Sequence, residues 1–231
     1  MVKSLLASAL FAGLIAGLFA AGLQQAFLVP LITEAELYET GTIVHFGAQI
    51  DGAEAAAGHE IAVEADLTRS LLTVLMTVLS TCGFGLILVA GFALAERMAL
   101  TRIDLRTGLL FGLSAFAATQ LMPSMGLSPE LPGAAAGELS HRQIWWLATV
   151  AGTFIGIGLI AWGNTAAKIA GAVLIAAPHL VGAPHPQVFE GVVPPELSAL
   201  FAARVLVVGA LVWAALGALA GHFWSREAAT A

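Results

Sequence analysis

Apolar residues gather in six runs, at residues 4–29, 70–95, 108–123, 143–162, 167–182 and 199–222. A bilayer core about 30 Å thick takes about 20 helical residues to cross, and most of these runs approach or exceed that length. The pattern predicts an all-α, polytopic transmembrane helix bundle forming one integral membrane domain over residues 1–231. The first run follows Lys3 and shares that basic start with signal peptides. Signal-peptide apolar stretches usually span only about 7–15 residues, so a retained span is expected. The fifth run is short and contains Pro178 and His179. If it is buried without crossing, five spans remain.

Composition removes the soluble alternatives. Hydrophobic residues make up 59% of the chain and charged residues 10%, against about 25% charged in soluble domains. The only cysteine, Cys82, allows neither an intrachain disulfide nor a thiolate cluster.

Charge placement orients the runs. With six spans and a cytoplasmic N-terminus, Lys3, Arg97, Arg102, Arg106, Lys168 and Arg226 fall inside, as the positive-inside rule requires. Arg69 and Arg142 fall in outer connections, and Arg204 lies within the last run. A five-span reading puts Arg226 outside. In the fourth run, Trp145 and Trp146 stand about 25 Å from Trp162, the spacing of two interfacial belts. Small-xxx-small pairs (Gly13/Gly17, Gly108/Gly112, Gly152/Gly156 and Gly217/Gly221) predict close helix contacts.

The same topology places 12 of the 15 acidic residues outside, many of them in the acidic outer loop 30–69. His45, His59, His141 and His185 also fall outside, and His179 lies near the outer end of its run. Such a face concentrates divalent cations, and imidazole and oxygen donors suit first-row metals. Exclusion of acids from a basic inner side would give the same asymmetry without any site. The sharpest local feature is Pro178-His179 followed by Pro184-His185-Pro186-Gln187 and Glu190. His179, His185 and Glu190 are the candidate metal contacts. Proline frees backbone carbonyls where a chain lines a cavity; the plainer alternative is an interfacial turn. Gln24, Gln25 and Gln120 near outer span ends are candidate pathway residues, with interhelical hydrogen bonding as the commoner role. Arg204 either snorkels outward or pairs with Glu130, Glu138 or Glu190. Met122 and Met125 are read as packing residues.

Several chemistries are excluded. His59-Glu60 lacks the second histidine of a zinc-protease helix, and no Gly-rich phosphate loop or serine elbow occurs. No cofactor is expected, and an enzyme is not.

Several ordered segments resemble the CbtA-type family, the predicted cobalt transporter subunits of bacteria. They are Leu5-Leu6-Ala7-Ser8-Ala9-Leu10-Phe11-Ala12-Gly13 running to Gln24-Gln25 and Pro30, Gly126-Leu127-Ser128-Pro129-Glu130-Leu131-Pro132-Gly133, Arg142-Gln143-Ile144-Trp145-Trp146, and Pro178-His179-Leu180-Val181-Gly182-Ala183-Pro184. The resemblance spans essentially the whole chain. It implies cobalt(II) uptake linked to cobalamin supply, the bacterial inner membrane as location, and a small single-span CbtB-type partner with a histidine-rich tail. It implies five spans, where charge bias favours six, and it supplies no ligand assignments. A non-transporting membrane scaffold or assembly protein, or a transporter of another divalent cation such as nickel, is the alternative.

Overall fold

The computed structural model describes residues 2–44, 67–188 and 191–228. Helices α1 (Val2–Phe27) and α2 (Val29–Glu39) precede α3 (Leu67–Arg97) and α4 (Leu105–Phe116). A π-helical turn, Ala117–Leu121, joins α4 to the short α5 (Met122–Ser124). Then come α6 (Leu139–Trp162), α7 (Thr165–Val181) and α8 (Pro195–Ala228). No strand occurs among the described residues.

Among the described residues four helices, α1, α3, α6 and α8, are long and apolar enough to cross a membrane. The third apolar run is the α4–π–α5 segment, and the fifth is α7, with 17 residues. The outer surface carries large apolar side chains such as Phe11, Leu18, Ile87 and Ile155. Water would penalise such a continuous apolar surface, and lipid does not.

Glycines set the helix pairing. A Cβ on Gly13 would lie 2.5 Å from the Cys82 backbone, and one on Gly17 would lie 2.8 Å from Val78 Cα, so α1 and α3 meet backbone to backbone. Gly108 and Gly112 of α4 interleave with Gly217 and Gly221 of α8. Gly152 and Gly156 of α6 face Leu174 and Gly171 of α7. Each small-residue pair thus makes one tight helix contact. In all three seams residue numbers rise on one helix as they fall on the other, so the paired helices are antiparallel. Around the α1–α3 and α4–α8 seams lies the main core, centred on Phe92, Val89 and Leu216.

Two local breaks shape the Arg69 end. Pro30 cannot continue the hydrogen-bond ladder, so α1 stops at Phe27 and α2 begins at Val29, with Pro30 in its first turn. Residues 30–39, expected within a polar loop, are therefore largely helical. Leu31 and Ala35 of α2 pack in a second core with Leu131, Val193 and Phe201. The second break is the π turn. Pro123 has no N–H to give Thr119, and the Met122 N–H reaches back to the Ala117 carbonyl. That extra residue turns Gln120 toward α8.

Candidate functional site

At the end of α7, Pro178 frees the carbonyl of Leu174. That oxygen packs against Gly152, where a Cβ would approach it to 2.9 Å. The Pro178 carbonyl accepts from Trp145 Nε1 at 2.9 Å and from the Gly182 N–H at 3.1 Å. Trp145 is thus an interior residue, 7% exposed, and the interfacial-belt reading is corrected for it. Trp146 and Trp162 remain exposed. The His179 ring meets Trp145 edge-on, with centroids 5.6 Å apart. Its Nε2 is buried without a hydrogen-bond partner.

Gly182, at φ +90°, ends the helix in a conformation that disfavours side chains. The chain then turns, and Gly137 packs against the Pro184 and His185 backbone. The His185 side chain is exposed in this connection. Glu190, the third expected metal contact, lies outside the described residues, as do His45 and His59. Among the described residues, no group of three or more His, Cys, Asp or Glu side chains converges to hold a metal.

A cleft of about 760 Å³ opens between α1, α3 and α8. Gln24 and Gln120 line it, whereas Gln25 does not; Gln25 Nε2 instead donates to the Ser70 carbonyl at 3.4 Å. On the α3 wall, Thr73, Thr77, Ser80 and Thr81 turn their hydroxyl-bearing face inward. Thr77 Oγ1 donates to Gln24 Oε1 at 2.7 Å, and Thr81 Oγ1 donates to the Thr77 carbonyl at 2.7 Å. Gln120 Oε1 is buried with no partner and lies so close to Gly209 that no Cβ would fit there. Phe84 and Trp213 close the far end, with ring centroids 5.3 Å apart.

Sequence reasoning missed the α3 wall. Its signal was present: hydroxyl residues at 73, 77, 80 and 81 repeat at helical spacing.

The charged groups at this end are largely tied down. Arg69, at the cleft mouth, makes a two-pronged ion pair with Glu36 at 2.8 and 2.5 Å. That guanidinium holds the Glu36 carboxyl below its ordinary range. Arg142 pairs with Glu130 at 2.5 Å. Glu138 caps α6 by accepting from the Ser140 hydroxyl and from the Ser140 and His141 N–H groups. These donors hold its carboxyl down at about 2. Arg204 donates to the Phe27 carbonyl at 3.1 Å. It therefore meets the negative end of the α1 dipole; of the acidic partners offered as the alternative to snorkelling, Glu130 is bonded to Arg142 and Glu138 caps α6, and Glu190 lies outside the described residues.

No curated protein and no solved structure matches the chain. The family described as "Probable cobalt transporter subunit (CbtA)" matches residues 2–225. That covers nearly the full length, including every helix that builds the cleft and the α6–α7 seam, and the chain therefore belongs to the CbtA family of probable cobalt transporter subunits.

Proposed function

We propose that this subunit carries cobalt(II) inward across the bacterial inner membrane, supplying cobalamin synthesis. It has six crossings and a cytoplasmic N-terminus. The α4–π–α5 segment and α7 supply the two crossings beyond the four long apolar helices. The antiparallel seams support this arrangement, because they put Arg97, Arg106, Lys168 and Arg226 at one end of the bundle and Arg69 and His179 at the other. A small single-span, histidine-rich CbtB-type subunit is the partner.

One observation carries the metal assignment. The His179 imidazole follows Pro178 in the last turn of α7, and its buried Nε2 has no hydrogen-bond partner among the described residues. A neutral imidazole nitrogen is a good ligand for first-row divalent ions. His185 and Glu190 follow in the next connection as the further donors. Inward movement of a dication gains roughly 4.6 kcal/mol per 100 mV, twice the single-charge value, so the membrane potential can drive it.

The test is labelled cobalt uptake by cells lacking other cobalt importers, at matched membrane levels of each variant. His179→Ala, His185→Ala and Glu190→Ala are each expected to lower uptake, His179→Ala most. Full uptake in all three would remove the α7 end as the metal contact.

A further inference from the structure

We infer that the turn between α3 and α4 is a headgroup site for an anionic phospholipid, whose phosphate is held by Arg97, Arg102 and Arg106. The site stands apart from metal uptake, and it draws on the proposed topology only to name the inner leaflet as the source of the lipid.

The two ends of the bundle treat arginine differently. At the Arg69 end each arginine has an acceptor in the protein: Arg69 pairs with Glu36, Arg142 pairs with Glu130, and Arg204 donates to the Phe27 carbonyl. In the α3–α4 turn, Arg97, Arg102 and Arg106 are all exposed. None of their guanidinium groups makes an ion pair or hydrogen bond among the described residues. The positive-inside rule puts cations at this end, but it does not require them to lack acceptors.

The nearby acids serve the backbone instead. Glu96 Oε1 accepts from the Ile103 N–H at 2.9 Å, and Asp104 Oδ1 accepts from the Thr107 N–H at 2.7 Å as the cap of α4. Those bonds fix the turn. The Leu100 N–H reaches back to the Ala95 carbonyl, Ala99 takes a φ of +55°, and Ile103 is buried in the main core. The three arginines are thus carried on a tied scaffold, which lowers the ordering cost of gathering them on one ligand.

A phosphate suits these donors. Each guanidinium offers five N–H groups in a planar fork that matches phosphate oxygens two at a time. Three arginines against Glu96 and Asp104 leave one net positive charge in the turn, which a singly anionic headgroup balances. A zwitterionic headgroup would bring its own cation against the same arginines.

The apolar surroundings favour a lipid over a free phosphate. Ile87 and Leu94 are exposed on the side of α3 that ends at Arg97. Leu110 and Leu113 are exposed on the face of α4 that begins at Arg106. Each stripe leads from the turn toward the middle of the bundle. A phosphodiester at the turn lays its acyl chains along these stripes, a contact that a detached phosphate lacks.

The experiment is native mass spectrometry of the full chain in a neutral detergent, titrated with phosphatidylglycerol or with phosphatidylcholine of the same acyl chains. Wild type is expected to bind its first phosphatidylglycerol about tenfold or more tightly than phosphatidylcholine. Arg102→Gln, which lies outside both helices, should weaken phosphatidylglycerol binding about fivefold. The triple variant Arg97→Gln/Arg102→Gln/Arg106→Gln should lose the preference while binding phosphatidylcholine as wild type does, a result that misfolding would not give. Lys168→Gln removes an exposed cation at the same end but outside the turn, and it should match wild type. Equal binding of the two lipids by wild type, or a preference that survives in the triple variant, would overturn the site. So would equal weakening by Lys168→Gln and Arg102→Gln, which would leave only the general attraction of a basic surface. Displacement of phosphatidylglycerol by an equal concentration of glycerol phosphate would overturn the lipid assignment and leave a free-phosphate site. No cobalt enters the measurement, so this site and the uptake reading fail separately.

Discussion

Replacing Gly217 with alanine should separate α4 from α8. The added methyl would lie 2.8 Å from Gly112 Cα, 2.9 Å from Gly112 N, and nearer still to the Gly108 carbonyl oxygen. All three neighbours are backbone, so no rotamer change relieves the clash. Carbon atoms rest about 3.5–4.0 Å apart, so the helices must part by about 1 Å, and such a gap forfeits a quarter to a half of each contact's dispersion energy. Overpacked cores generally lose about 1–3 kcal/mol, and a loss of that size is expected here. The seam has little else to hold it, because lipid supplies no hydrophobic drive between helices. The assay is unfolding by a denaturing detergent in mixed micelles, followed by tryptophan fluorescence. Trp213 and Trp224 are both buried in the surrounding core. Gly22→Ala is the control and should leave stability unchanged or raised. A Gly108→Ala/Gly217→Ala pair should cost less than the sum of its members, since the first methyl has already opened the seam. Equal stability of Gly217→Ala and Gly22→Ala would refute the reasoning.

Two further outcomes follow from the Glu138 and Trp145 contacts. The Glu138 carboxyl is depressed from its ordinary 4.5 to about 2, so its contribution to the α6 cap is present above about pH 4.5 and lost as pH falls toward 2. Protection of the Ser140 and His141 amides, taken relative to intrinsic exchange at each pH, should fall across that window, and a Glu138→Gln variant should lack the pH dependence; identical profiles would contradict the cap. Trp145→Phe removes one of two donors to the Pro178 carbonyl, and Gly182 N–H keeps that oxygen satisfied. The expected loss is therefore about 1 kcal/mol in the same detergent assay, and a loss beyond about 3 kcal/mol would mean that Trp145 has a larger role.

Much of the helical content was legible because apolar periodicity and length report burial in lipid directly. The small-residue pairs were visible too, but their partners were not: nothing in the spacing of Gly108 and Gly112 says that they meet Gly217 and Gly221 rather than Gly13 and Gly17. Pairing is a tertiary property. The helical start of the polar segment escaped because Glu34, Glu36 and Glu39 mask the two buried positions, Leu31 and Ala35. Trp145 looked interfacial from its position at a span end, whereas its indole turns inward to the Pro178 carbonyl, 33 residues away in the chain. The site was legible in fragments. Gln24 and Gln120 were identifiable as amides near span ends, but that Gln120 faces α8 depends on the π turn. Thr77 and Ser80 were passed over because hydroxyls inside a span usually bond to their own helix, as Thr81 does.

Labelled cobalt accumulation in cells that lack other importers tests the central claim most directly. It should be measured with and without this chain, and with and without the small histidine-rich subunit proposed as its partner, under an imposed inward-negative potential. The account predicts accumulation that requires this chain, rises with the potential, and is reduced by excess unlabelled cobalt more than by equal nickel. Accumulation unchanged by deleting the chain, with the partner present, would contradict it and leave a scaffold role in its place.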